Sequence, residues 1–135
     1  FKRLIGYVSS FSSGCLYCQA HTILGAERFG SSKKRLDEVW NYSNSSAFSN
    51  AEKAALDFAF AAASVPNKVT ERLVSQLKRY WNDNDIVEIM GVIALFGFLN
   101  RWNDSMGSAL EDLPIEKGEK YLEETTNWTP GKHRV

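Results

Sequence analysis

Two cysteines and a histidine fall within one short stretch, Cys15-Leu16-Tyr17-Cys18-Gln19-Ala20-His21. Positions three apart on a helix share a face, so this spacing sets Cys15 beside Cys18 and Cys18 beside His21. Gly14 and the serines before it predict that Cys15 stands at a helix N-terminus, where unpaired N–H groups and the macrodipole favour a thiolate. An imidazole one turn away can take a thiol proton or stabilise the anion. Two such thiols can close a disulfide once one has been oxidised to the sulfenic acid. The chemistry these residue types suit is that of a thiol peroxidase or a disulfide reductase.

Other uses of the same residues are weaker. Cys15 and Cys18 can be read as small core residues with His21 as a polar neighbour. Zinc needs four ligands, or three and a water, and only His133 is left to add to the three, so no metal is expected. Attachment of c-type haem needs a His directly after the second cysteine, where Gln19 stands. A thioredoxin-like motif belongs after a strand, and the pattern here is helical.

Apolar residues recur at three- and four-residue spacing along almost the whole chain, which predicts one all-α domain over residues 1–135. A first helix carries Leu4, Ile5, Tyr7, Val8 and Phe11 and breaks at Ser12-Ser13-Gly14; a second opens at Gly14 or Cys15 and runs towards Phe29. Ser32 caps a short helix with Leu36, Val39 and Trp40, and residues 41–46 read as a loop. Ser49 and Glu52 form a capping box for a helix ending near Pro66, and Thr70 caps the next. Asp85 and Glu88 repeat the capping logic before Ile86–Leu99, which is apolar on every face. Such a helix is expected to be buried on all sides, at the domain centre or a subunit contact, with Gly91 and Gly97 admitting close neighbours. A last helix spans residues 115–126.

The 135 residues carry 16 Lys+Arg against 16 Asp+Glu, and 44% are hydrophobic. A net charge of zero supplies no field for nucleic acid or an anionic membrane, so neither is expected as a partner. The longest apolar window falls short of the ~20 residues a membrane-spanning helix needs, and no secretory signal stands out; a cytoplasmic protein is expected. No phosphate cradle, paired-carboxylate motif or Ser-His-Asp signature is present, and no cofactor is expected. Arg101 and Asp104 can pair, Asn100 and Asn103 can line a pocket, Trp102 can wall it, and His133 is expected to be solvated.

The stretch from Gly14 to Thr22 resembles the core motif of the carboxymuconolactone decarboxylase superfamily, in its alkylhydroperoxidase, AhpD-like branch. Lys2–Ile5, Phe48–Glu52, Ile93–Phe96 running into Asn100–Asp104, and Trp128–His133 are similar to its members too. The resemblance implies an AhpD-like helical bundle forming a homo-oligomer, a trimer or hexamer with a dimer also possible, and further helices ahead of Phe1. It implies that Cys18 attacks a hydroperoxide, that Cys15 resolves the sulfenic acid, that His21 moves the proton, and that a dithiol or lipoyl-type reductant restores the pair. The decarboxylase branch typically lacks the cysteine pair. Two positions depart from the pattern: His21 is three rather than four residues after Cys18, and Arg3 stands where a Glu of the proton relay is found. Arg3, if near the dithiol, would stabilise the Cys18 thiolate; otherwise it is an exposed side chain. The expected function is therefore a thiol-dependent peroxidase. Alternatives are a slow redox-sensing stress protein and cysteine-independent, decarboxylase-like chemistry.

Overall fold

The computed structural model describes residues 1–134, and among them the chain is helical throughout, without strands. Seven α-helices follow in order: α1 (Lys2–Ser13), α2 (Leu16–Arg28), α3 (Lys33–Glu38), α4 (Asn50–Ala63), α5 (Glu71–Lys78), α6 (Asp83–Met106) and α7 (Asp112–Thr126). Two 3₁₀ segments, Val39–Asn44 and Gly131–His133, complete the described chain. The stretch expected as a loop after Trp40 is thus largely the first of these turns. Caps at Ser32, Ser49 and Thr70 form as expected, each side chain accepting a backbone N–H from three residues on. The box that opens α6 is Asn82 with Asp85 rather than Asp85 with Glu88, so the helix starts earlier than its apolar run.

The α1–α2 hairpin is the base on which the cysteines stand. Gly14 adopts a left-handed conformation (φ 78°), its N–H bonding the Phe11 carbonyl while the Cys15 N–H reaches the Ser10 carbonyl. This Schellman pair satisfies the last carbonyls of α1 and turns the chain directly into α2. Ser12 and Ser13 then donate to the Phe60 and Ala63 carbonyls, tying the hairpin to the end of α4. Leu4, Ile5, Tyr7 and Val8 of α1 and Ala20, Ile23 and Ala26 of α2 enter one core with Ala55, Leu56 and Ala59 of α4.

Of the two expectations for α6, the domain centre is corrected. Only Ile89, Ile93, Phe96 and Asn100 are buried, a stripe at four-, three- and four-residue spacing, and the ring of Phe96 lies over Gly6 of α1. Val87, Met90, Leu95, Phe98, Trp102 and Met106 are exposed, so the helix lies on the flank of this chain and not at its centre. Gly91 and Gly97 have open space where a Cβ would be, so neither admits a close neighbour within the chain.

Two substitutions measure these backbone requirements. Gly14→Ala forces an L-residue into the left-handed region and is expected to destabilise the fold by about 1–2 kcal/mol. Gly91→Ala, exposed and inside a helix, is expected to stabilise by up to about 1 kcal/mol. Urea unfolding followed by circular dichroism reads both, and a Gly14→Ala variant as stable as the parent would refute the turn geometry.

Candidate functional site

Because Gly14 ends α1 abruptly, Cys15 becomes the N-cap of α2 with extended backbone angles, and its Sγ accepts the Cys18 N–H at 3.3 Å. A sulfur thus fills the role a Ser or Asp oxygen plays at other helix starts. Cys18, in the first turn, turns its thiol to Cys15, and both cysteines are free. The Cys15 thiol is more acidic than usual: hydrogen bonding from the Cys18 thiol outweighs burial, and the Cys18 N–H adds to it. Cys18 moves the other way, its proton held by Cys15 and its charge penalised by burial. The pair is asymmetric, with Cys15 the favoured thiolate and Cys18 the thiol that serves it. Both are buried, at 0% and 3% exposure, so a reactant must be small or the site must open.

His21 makes no hydrogen bond to either sulfur, and its partners lie elsewhere. Its ring leans on Tyr17, with centroids 4.4 Å apart, and its Nε2 lies 3.0 Å from Glu111 Oε2, close but out of line for a full hydrogen bond. Burial lowers its pKa against the pull of Glu111, so the ring is mainly neutral near pH 7. The polar side chain that does reach Cys18 is Asn103, whose Nδ2 is 3.9 Å from Sγ while also donating to the Leu99 carbonyl at 3.0 Å. Asn103 comes from α6, 85 residues away along the chain, and spacing within the motif carried no sign of it.

Arg3 and His133 are also relocated. Arg3 packs across Gly25, near the far end of α2, with its guanidinium 5.6 Å from the Phe29 ring centre. It is exposed and has no part beside the dithiol, so the proposed stabilisation of Cys18 by Arg3 is withdrawn. His133, expected in solvent, is buried at 1% exposure, its ring 5.7 Å from that of Tyr17. Asp104 pairs with Lys132 and approaches His133 instead of bonding Arg101. Trp128 is what brings the C-terminal segment here: its indole N–H donates to the Leu16 carbonyl at 3.1 Å, and its ring fills the space above Gly118 of α7.

A groove of about 1140 Å³ runs along α6, with Phe98, Trp102, Met90 and Met106 on one side and Ala62 and Val65 on the other. Neither cysteine lines it, but Asn100 and Asp104 do, on either side in sequence of the Asn103 that reaches Cys18. Among the described residues no cluster of His, Cys, Asp and Glu is arranged to hold a metal ion. None of the helices is long and apolar enough to cross a membrane.

With this geometry the chain can be set beside known proteins. No family model matches it. The uncharacterised protein YnjA of Escherichia coli (strain K12) is 33% identical over 103 residues, covering 76% of this chain and 53% of that protein. The debrominase Bmp8 superposes with a TM-score of 0.86 at 33% identity, covering 89% of this chain and 64% of Bmp8. A cysteine-to-alanine variant of Bmp8 in complex with 2,3,4-tribromopyrrole matches with the same TM-score at 32% identity. A protein of unknown function from Agrobacterium tumefaciens, a candidate antioxidant defence protein AhpD, shares the fold with a TM-score of 0.73 at 21% identity, covering 78% of this chain and 73% of that one. The fold is AhpD-like, and the chain shares it with these proteins. It spans about half the length of YnjA and under two thirds of Bmp8.

The asymmetry of the thiols has a direct readout. Substoichiometric iodoacetamide at pH 7, followed by peptide mapping, is expected to label Cys15 in preference to Cys18, because the thiolate is the form that reacts. Predominant label on Cys18 would reverse the assignment.

Proposed function

We propose that this chain is a two-electron thiol reductase of the peroxidase type, in which the Cys15–Cys18 dithiol reduces a hydroperoxide. The observation that carries the reading is the Cys15 sulfur capping α2 with the Cys18 thiol turned towards it. The Cys15 thiolate attacks the terminal peroxide oxygen; the O–O bond breaks, and the departing alkoxide takes a proton to leave as the alcohol. Cys15 is then a sulfenic acid. The Cys18 thiol attacks that sulfur, releasing water and closing the disulfide. A dithiol or lipoyl-type reductant returns both electrons and protons. The resemblance gives the attack to Cys18 and the resolution to Cys15; hydrogen bonding at the helix start supports the reverse order. His21, engaged with Tyr17 and Glu111, supports proton transfer only after its ring turns.

A second reading has its own support in the likeness to the debrominase Bmp8, including its tribromopyrrole complex. The same dithiol balances reductive debromination: an aryl bromide and two thiols give the arene, a disulfide and hydrogen bromide. Both readings need two sulfurs and differ only in the acceptor. A homo-oligomer is part of the proposal, supported by the exposed apolar row on α6.

Intact-mass spectrometry after one equivalent of hydrogen peroxide is expected to show loss of two hydrogens, absent when both cysteines are Ser. With excess dithiol, Cys15→Ser and Cys18→Ser each abolish peroxide turnover. Oxidation that stalls after one equivalent would make the protein a sensor instead. Turnover that survives both substitutions would place the chemistry outside the cysteines. Bromide release from a bromopyrrole without peroxide turnover would establish the second reading.

A further inference from the structure

The groove along α6 takes no part in the chemistry of the dithiol, and its floor has two unusual features. The first is Gly97. A Cβ at that position would meet nothing within 4 Å, so the missing side chain leaves open space between α6 and the ends of α1 and α4. The second is Asn100, one turn further on in the stripe that α6 buries, with 3% exposure. Both polar atoms of its side chain, Nδ2 and Oδ1, are buried without a hydrogen-bond partner. Its polar neighbours are engaged: Asn103 donates to the Leu99 carbonyl, while Ser12 and Ser13, which also line the groove, donate to carbonyls at the end of α4. A buried amide is ordinarily paired, because an unmet donor or acceptor forfeits the bond it had with water. The outer wall is apolar. Phe98 and Trp102 form it, with ring centres 6.1 Å apart and planes 29° from parallel, and Met90 and Met106 stand towards its two ends. Arg101 and Asp104 line the groove with one charge of each sign, so nothing there selects an ion.

We propose that this groove binds a small, flat, apolar molecule that carries an amide-type edge, an N–H donor beside a C=O acceptor, as a lactam or a carboxamide does. The Asn100 side chain offers the matching acceptor and donor in one plane, so the two edges join through two hydrogen bonds. The terminal torsion of an Asn side chain is soft, and the amide turns towards the groove without moving the helix. The rings of the ligand lie against Phe98 and Trp102, and the two methionines adapt to its outline. An apolar cleft with one polar group to orient the guest is the common form of a small-molecule site. The occupant is narrow and not a protein face: Asn100 lies at the bottom, where a broad surface resting on Phe98 and Trp102 does not reach it. The site is independent of which acceptor the dithiol reduces.

The probes are 2-quinolone, a flat bicyclic lactam, and N-methyl-2-quinolone, in which a methyl group replaces the donor hydrogen. Calorimetric titration is expected to show the lactam binding about tenfold more tightly than its methylated form, the effect of one lost hydrogen bond whose partner stays buried. Asn100→Leu is expected to bind the two probes alike and to melt no lower than the parent, since it removes an unpaired buried amide. Gly97→Leu fills the groove from a helical position that favours a side chain, so it is expected to bind neither probe and to keep its melting temperature. Trp102→Ala weakens both probes by the same factor. A parent that binds neither probe at millimolar concentration overturns the proposal. So does a lactam preference that survives Asn100→Leu, or a Gly97→Leu variant that binds as the parent does. An Asn100→Leu variant that melts lower or fails to fold gives the amide a structural partner and removes it as the anchor. Absence of binding together with a change of oligomeric state in Gly97→Leu, read by light scattering, would assign the groove to a second copy of the chain instead.

Discussion

One hydrogen bond organises the site: the Cys18 N–H pointing at the Cys15 sulfur. It exists because Gly14 ends α1 in a left-handed turn and leaves Cys15 as the cap of α2. A capping sulfur gains from being negative, since the free N–H groups of the first turn converge on it. The Cys18 side chain, returned to the same end by the helical repeat, presents its thiol to that sulfur. Unequal acidity of two identical groups thus follows first from the hydrogen bond between the thiols, with the backbone N–H of Cys18 adding to it.

The remaining elements hold this turn and close it off. α1 and α4 grip the hairpin through Ser12 and Ser13, α6 lays Asn103 on Cys18, and the C-terminal segment is pinned by the Trp128 indole. Burial raises the cost of charge on either thiol, and hydrogen bonds return enough of it to one of them.

The apolar row on α6 is the other feature the chain does not resolve internally. Val87, Leu95, Phe98, Trp102 and Met106 are large side chains exposed along one helix, whose buried stripe is only one residue wide per turn. Exposed apolar surface on this scale marks a contact or binding face. The groove beside it is lined in part by Asn100 and Asp104, which flank Asn103, the residue of α6 that reaches Cys18.

Local rules settled much of this protein. Helical periodicity, the caps at Ser32, Ser49 and Thr70, the break at Gly14 and the placing of Cys15 at a helix start are all short-range physics, written in adjacent residues. The dithiol was legible for the same reason. What lies around it was not. An i, i+3 spacing puts His21 on the Cys18 side of α2, but the ring's direction depends on Tyr17 and on Glu111 from a distant segment. Asn103 reaches Cys18 through the packing of α6, and the C-terminal turn brings His133 to Tyr17, separations that no periodicity encodes. Hydrophobicity alone made α6 look buried on all sides, at the centre or at a subunit contact, yet within this chain its residues are shared between one buried stripe and an open flank, a division fixed by where α1, α2 and α4 leave room. The sequence determined the helices and the reactive pair; the tertiary structure decided which neighbours tune it, because charges and amides act through distance in space, not along the chain.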